Sequence, residues 1–238
     1  ATCEPESLAK LIEAGCNVVR INMSHSSQDE ATQIIANVRA ISDRIGIMLD
    51  TRGPEVRTTE VEDTVVLKTG AEIGLRGEKG PTTSETVRCN YAGFHRLLHE
   101  GSVILLNDGR IQLEALVSTI EELRCRVIVG GELGSRKGVN VPGIRLPIPF
   151  LGKQDIADIR FGVRQSVDFI AASFVGEPED VLRIKEIVAE EGGNISIISK
   201  IEAQFAVKNL IEIIAVSEGL MVARGDLGVE IPAAEVPI

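Results

Sequence analysis

The period of the apolar residues changes twice along this chain, and that change restricts the possible folds more than any single motif. Residues 5–58 alternate between helix and strand, with an amphipathic helix predicted at 5–14, a strand at 17–23, a helix near 28–43 and a strand at 46–50. Residues 153–232 resume the alternation, with helices near 153–165, 177–191 and 203–214 between strands at 168–174, 195–200 and 219–224. This βα rhythm is that of a parallel sheet covered by crossover helices. Residues 59–138 behave differently. Short β runs at 65–68, 71–75, 102–106, 111–117 and 124–129 are separated by Gly, Asn, Asp and Pro, the pattern of an all-β domain. The expectation is an α/β domain carrying an all-β insertion, with boundaries near Thr58 and Gly138.

Two successive strands of the α/β part end in charge. The run Ile195-Ser196-Ile197-Ile198-Ser199 leads into Lys200-Ile201-Glu202, and Gly219-Leu220-Met221-Val222-Ala223 leads into Arg224-Gly225-Asp226. Parallel sheets keep their ligand sites at the carboxyl ends of their strands, so one lysine and two carboxylates are delivered to one rim. Hard oxygen ligands of this kind suit Mg²⁺ beside a phosphorylated substrate, with the lysine as a point charge on an oxygen that gains negative charge. Arg224-Gly225-Asp226 could also be an exposed adhesion tripeptide, but the buried strand before it argues against that. A structural aspartate is the plainer alternative for either strand alone, and the matching endings of two adjacent strands favour a site.

The chain has 238 residues, is 44% hydrophobic and carries a net charge of −10 with a pI near 4.9. An acidic surface argues against nucleic acid or an anionic membrane as a partner. No apolar run approaches the roughly 20 residues of a membrane span, and Ala1-Thr2-Cys3-Glu4-Pro5 has no signal-peptide character. A cytoplasmic protein is expected. Cys3, Cys16, Cys89 and Cys125 are far apart in sequence and read as reduced thiols. His95 and His99 stand four residues apart, but no glutamate follows the first, so the metalloprotease pattern fails and a solvated helical turn is expected.

Seven motifs, in order, resemble the pyruvate kinase family. They are residues 17–25 (Asn-Val-Val-Arg-Ile-Asn-Met-Ser-His), 49–58 (Leu-Asp-Thr-Arg-Gly-Pro-Glu-Val-Arg-Thr) and 107–109 (Asn-Asp-Gly), then 137–143 (Lys-Gly-Val-Asn-Val-Pro-Gly) and 170–175 (Ile-Ala-Ala-Ser-Phe-Val). Residues 199–202 (Ser-Lys-Ile-Glu) and 221–232 (Met-Val-Ala-Arg-Gly-Asp-Leu-Gly-Val-Glu-Ile-Pro) complete the series. The resemblance implies a (β/α)₈ TIM-type barrel at 1–58 and 139–238, incomplete here with about six strands, and a lid domain at 59–138. The barrel portion falls short of the about 250 residues of such a barrel, and the carboxyl-terminal allosteric domain of the family is absent from the sequence. A barrel so shortened is expected to leave apolar faces, including those of Val222 and Ala223, uncovered and to be poorly stable alone.

The same resemblance implies phosphoryl transfer from phosphoenolpyruvate to ADP. It assigns Glu202 and Asp226 to Mg²⁺ (or Mn²⁺), Lys200 to the phosphoryl group and the developing enolate, Arg20 to the phosphoryl oxygens, and the backbone N–H groups of Gly225 and Asp226 to the substrate carboxylate. It places K⁺ on Asn22, Ser24, Asp50 and the carbonyl of Thr51, with Glu55 marking potassium dependence. Asn22, His25, Arg57 and Lys137 match the nucleotide site, and Asp108 lies on the lid. A homotetramer is implied for a full-length chain. The chain departs from the family at Thr2-Cys3-Glu4-Pro5, where either part of the nucleotide site is altered or a segment is missing, at Arg52, where lysine is common, and at Ala203, where asparagine is usual. Two other readings stay open: a Mg²⁺-dependent lyase or aldolase on a similar barrel, which would need no lid, and a non-catalytic fragment that keeps the metal site.

Overall fold

The computed structural model describes residues 4–61, 63–232 and 234–237, so the strand expected at Ala1-Thr2 lies outside the described residues. The first segment runs through helix α1 (Pro5–Glu13), strand β1 (Val18–Asn22), helix α2 (Gln28–Ile41) and strand β2 (Gly46–Asp50). Pro5 opens α1, where its missing N–H costs nothing. Ser27 and Glu30 close a capping box on α2, with the Ser27 N–H donating to Glu30 Oε2 at 2.8 Å.

The middle segment consists of short strands: β3 (Val65–Leu67), β4 (Glu72–Arg76), β5 (Thr86–Arg88), β6 (Val103–Leu106), β7 (Ile111–Ser118), β8 (Leu123–Val129), β9 (Gly131–Leu133) and β10 (Val139–Asn140). The last segment resumes with α3 (Lys153–Arg164), β11 (Phe169–Ala172), α4 (Pro178–Glu190), β12 (Ser196–Ile201), α5 (Gln204–Lys208), α6 (Leu210–Val216), β13 (Gly219–Val222) and α7 (Arg224–Glu230). The single helix expected at 203–214 is two helices that meet at Asn209, whose side chain leaves the helical pattern to donate to the Gly176 carbonyl at 2.7 Å. The last strand stops at Val222, and Arg224-Gly225-Asp226 opens a helix.

Two compact units result, one of residues 1–54 and 148–223, the other of residues 55–147 and 224–238. The second is wider than the change of period suggests, because its flanks are tied to it. Arg57 bridges to Gly138, the Tyr91 hydroxyl donates to the Pro147 carbonyl, and the Asn140 amide donates to Glu230 of α7 at 3.0 Å.

The first unit holds a five-stranded parallel sheet in the order β1-β2-β11-β12-β13. Ile47, Leu49, Ile170 and Ile197 are fully buried within it, and Ile35, Val38, Ile159, Ile184 and Ile187 of the crossover helices are buried with them. Its register aligns Asn22 with Asp50, Asp50 with Ala171, Ala172 with Ser199 and Lys200 with Met221. Strand ends that carry polar residues therefore stand side by side. On the edge strand β13, Val222 is exposed.

The second unit holds a six-stranded sheet, β10-β6-β7-β8-β4-β5, antiparallel except for the β4–β5 pair, and the separate ladder β3-β9. Along β7, Ile111, Leu113 and Ala115 are buried while Gln112 and Glu114 are only half-buried, the alternation of a sheet with one apolar face. Asn107, Asp108 and Gly109 all have positive φ, and the Arg110 N–H closes the turn on the Asn107 carbonyl at 3.2 Å, as a tight hairpin turn requires. His95 corrects the expectation of a solvated turn. It lies in a short 3₁₀ turn, Phe94–Leu97, is 6% exposed, and its Nε2 sits 3.1 Å from the Ile120 carbonyl. Phe94 beside it is fully buried and carries the turn inward with it.

Candidate active site

Hydrophobic strands bring charged residues to the carboxyl edge of the parallel sheet and bury them there. Asp50 ends β2 and is 1% exposed. Its Oδ2 accepts from Arg20 Nε at 2.6 Å, and its Oδ1 accepts from Lys200 Nζ at 3.1 Å and lies 3.2 Å from Ser173 Oγ. Lys200 near the end of β12 also meets Glu202 Oε1 at 2.9 Å and donates to Ser173 Oγ at 2.8 Å. Glu202, equally buried, accepts the Phe174 N–H on Oε2 at 2.7 Å. Phe174 holds a left-handed φ of 56° to present that N–H, a conformation that costs energy in a bulky residue.

Burying charge is expensive unless the charges are paired and hydrogen-bonded, and here two cations balance two carboxylates. Burial by itself would lower the Lys200 pKa. The charges of Glu202 and Asp50, with their hydrogen bonds, outweigh it and hold the ammonium above the usual lysine value. Lys200 is thus a fixed positive charge.

The neighbouring oxygens form a second group. Asn22 Oδ1 accepts the Ser24 N–H at 2.9 Å, and the Met23 N–H donates to the Asp50 carbonyl. The Thr51 carbonyl accepts from Ser173 Oγ at 2.6 Å. Asn22, Ser24, Asp50 and Thr51 together offer only hard oxygen donors, a set that fits an alkali cation. Glu202 has both oxygens engaged, yet each keeps a further lone pair for a divalent cation. Among the described residues no group of three or more His, Cys, Asp or Glu side chains converges as a metal cage.

The expected residues divide between the units. Arg20, Asn22, Ser24, His25, Asp50, Thr51, Lys200 and Glu202 belong to the first, with His25 exposed in the turn after β1. Arg57, Lys137, Gly225 and Asp226 belong to the second. There Thr58 pairs with Lys137 through the Thr58 N–H to the Lys137 carbonyl at 2.8 Å, which brings the Arg57 and Lys137 segments together. The Arg57 guanidinium is engaged by Glu55 at 2.7 Å and by the Arg136 carbonyl at 3.0 Å. Gly225 and Asp226 are exposed in the first turn of α7.

Three residues of the first unit had been given no role. Ser173, 2% exposed, joins Lys200, Asp50 and Thr51. It follows directly on β11, so the same strand-end rule that picks out Lys200 could have found it. Asp155 and Asp158 of α3 are buried behind the loop that follows β2, and in sequence they resemble any solvated helical aspartate. A separate cleft of about 490 Å³ is lined by Glu4, Pro5, Ser26, Glu30, Ile34 and Asn37.

A parallel βα sheet with its buried charges at the carboxyl edge is the layout of a barrel-type α/β domain. The family model described as "Pyruvate kinase, barrel domain" matches residues 1–238. Curated pyruvate kinases of Staphylococcus aureus strains USA300 and NCTC 8325 / PS 47 are each 44% identical over 240 residues, covering 98% of this chain. The chain belongs to the pyruvate kinase family. It spans 41% of the length of those relatives.

Proposed function

We propose that the protein carrying this chain transfers the phosphoryl group of phosphoenolpyruvate to ADP, giving pyruvate and ATP. The observation that carries the reading is the buried Lys200 ammonium, held by Asp50, Glu202 and Ser173 at the strand ends of a chain of this family. A terminal phosphate oxygen of ADP attacks phosphorus, the bond from phosphorus to the enol oxygen breaks, and the enolate left behind takes up a proton at carbon. The protein's task in such a transfer is positioning and charge neutralisation.

Lys200, kept protonated, is placed to meet negative charge that grows only as the bond breaks, and such charge stabilisation lowers the barrier. Arg20, with its side chain half-exposed, can turn its free guanidinium edge to the phosphoryl oxygens while Asp50 anchors it. The Gly225 and Asp226 amides are assigned to the substrate carboxylate. Glu202 and Asp226 are assigned to Mg²⁺ (or Mn²⁺), which would neutralise the phosphoryl and enol oxygens when bound. K⁺ is assigned to Asn22, Ser24, Asp50 and Thr51. His25, Arg57 and Lys137, with Asn22, are assigned to the nucleotide. In this reading the β-rich unit is the family's lid, and the whole protein is a cytoplasmic homotetramer.

The test is pyruvate and ATP formation by the whole protein from phosphoenolpyruvate and ADP with Mg²⁺. Rates should be much higher in K⁺ than in Na⁺ or tetramethylammonium. Absence of both products would overturn the proposal and leave the non-catalytic alternative. Cleavage of a carbon–carbon bond with no ATP formed would point instead to the lyase class.

A further inference from the structure

The charged rim stands beside a loop that is gripped by a carboxylate with no part in the reaction above. Asp155, in the first turn of α3 and 4% exposed, accepts the Arg52 and Gly53 N–H groups on Oδ1, both at 3.2 Å, and the Gly152 N–H on Oδ2 at 3.0 Å. One oxygen caps its own helix, and the other holds the loop that follows β2.

The loop is pressed from the other side by Ser173 and Phe174. Gly53 has φ +75°, and a Cβ there would stand 2.9 Å from the Phe174 ring and 3.0 Å from Ser173 Cβ, so no larger residue fits. The Thr51 N–H donates to the Ala171 carbonyl at 3.0 Å, and Thr51 Oγ1 accepts the Ser173 N–H at 3.0 Å. Asp158, fully buried one turn further along α3, accepts the Gln28 and Gln154 amides on Oδ1. Its Oδ2 lies 3.9 Å from Arg52 Nε, and neither of these two atoms has a hydrogen-bond partner among the described residues. The loop is therefore held by charge as well as by hydrogen bonds.

The consequence follows from the peptide plane. The Arg52 N–H and the Thr51 C=O belong to one trans peptide unit, in which they point in opposite directions. An N–H fixed on Asp155 therefore fixes the carbonyl away from α3. Ser173 Oγ uses one lone pair of that carbonyl oxygen at 2.6 Å, and a second lone pair remains for a cation. We propose that Asp155 is a positioning residue for the monovalent cation. It sets the direction of the Thr51 carbonyl through the Arg52 amide, and through Ser173 it sets the register of Lys200. The inference rests on the potassium site of the proposed function and does not depend on the phosphoryl transfer itself.

The test uses the whole protein and follows its melting temperature as KCl replaces tetramethylammonium chloride at constant ionic strength, which gives the K⁺ midpoint without any assay of turnover. Asp155→Ala should raise that midpoint about 10- to 100-fold, the range for losing an outer partner of a metal ligand. Asp155→Asn keeps an oxygen for the two loop amides but cannot accept the Gly152 N–H, so it should lower the melting temperature while keeping the parent midpoint. Should Asp155→Ala fail to fold, Asp155→Glu, which moves the carboxylate by one methylene, should raise the midpoint in the same sense. A parent midpoint in Asp155→Ala or Asp155→Glu, equal shifts in the Ala and Asn variants, or no K⁺ response in the unaltered protein would overturn the inference. A K⁺ response without pyruvate formation would instead refute the reaction and leave the role of Asp155 standing.

Discussion

The two units bury different things. In the parallel unit, Asp50, Asp155, Asp158, Asp180, Lys200 and Glu202 are all buried among aliphatic side chains. In the β-rich unit no Asp, Glu, Lys or Arg among the described residues is as deeply buried, although burial does push the Glu230 carboxyl above its usual range. Its core is Ile104, Leu106, Ile111, Leu113, Leu123 and Val127, and its charges pair at the surface, as Arg76 does with Glu122 and Arg88 with Glu78. Surface pairs of this kind contribute about 0–1 kcal/mol each. A buried carboxylate is costly unless it is paired and hydrogen-bonded, as Asp50 and Glu202 are. Stability alone would not select the first arrangement; Asp50, Lys200 and Glu202 stand at the strand ends, whereas Asp155, Asp158 and Asp180 lie in the crossover helices α3 and α4.

The sharpest way to break this contrast is Glu202→Ala. It leaves the Lys200 ammonium with one carboxylate fewer and the Phe174 N–H without its acceptor. Removing one partner of a buried pair costs about 3–5 kcal/mol, and the variant should also lose nearly all turnover. Urea unfolding and steady-state kinetics on the same preparation check both parts. Unchanged stability would mean that the cluster is wetter and looser than its geometry.

Leu113→Ala is the counterpart in the β-rich unit. Leu113 is fully buried in β7, and truncating such a side chain costs about 2–5 kcal/mol. Below its lowered melting temperature the variant should keep its kcat within a small factor. A large loss of kcat there would blur the division of labour between the units.

A smaller effect separates the units by pH. Burial pushes the Cys89 thiol up to about 11 and the Cys125 thiol up to about 12, from 9.0. Above pH 9 the unfolded chain releases protons that the folded β-rich unit retains, so stability falls as pH rises. Cys125→Ala should flatten the decline in the urea midpoint between pH 9 and 11, because one of the two retained protons is gone. An identical decline in both proteins would show that these thiols do not titrate as buried groups.

The strands of the parallel sheet were legible because each is a short apolar run whose ends are marked by Gly or by charge, and 46–50 is both the expected and the observed strand. Lys200 and Glu202 were picked out because a charge at the end of an apolar run has few places to go, whereas Asp50 came from the family resemblance alone. The short strands β5, β9 and β10 were not, because two or three residues carry no period and exist only through their partners. His95 looked solvated because its neighbours Arg96 and His99 are polar, but the packing of Phe94 decides the matter. Asp155 was invisible for a deeper reason. An aspartate in a first helical turn is ordinary in any sequence, and only the return of the chain from the β-rich segment brings it to Arg52 and Gly53, more than a hundred residues away.

Lys200→Met tests the central claim most directly, because it removes the fixed positive charge while keeping most of the side chain's volume. In the whole protein, turnover of phosphoenolpyruvate and ADP should fall by about 10² to 10³ or more, with Mg²⁺ binding, followed by titration with Mn²⁺, largely retained. Near-normal turnover in that variant would contradict the account, since the buried cluster would then serve the fold and not the phosphoryl transfer.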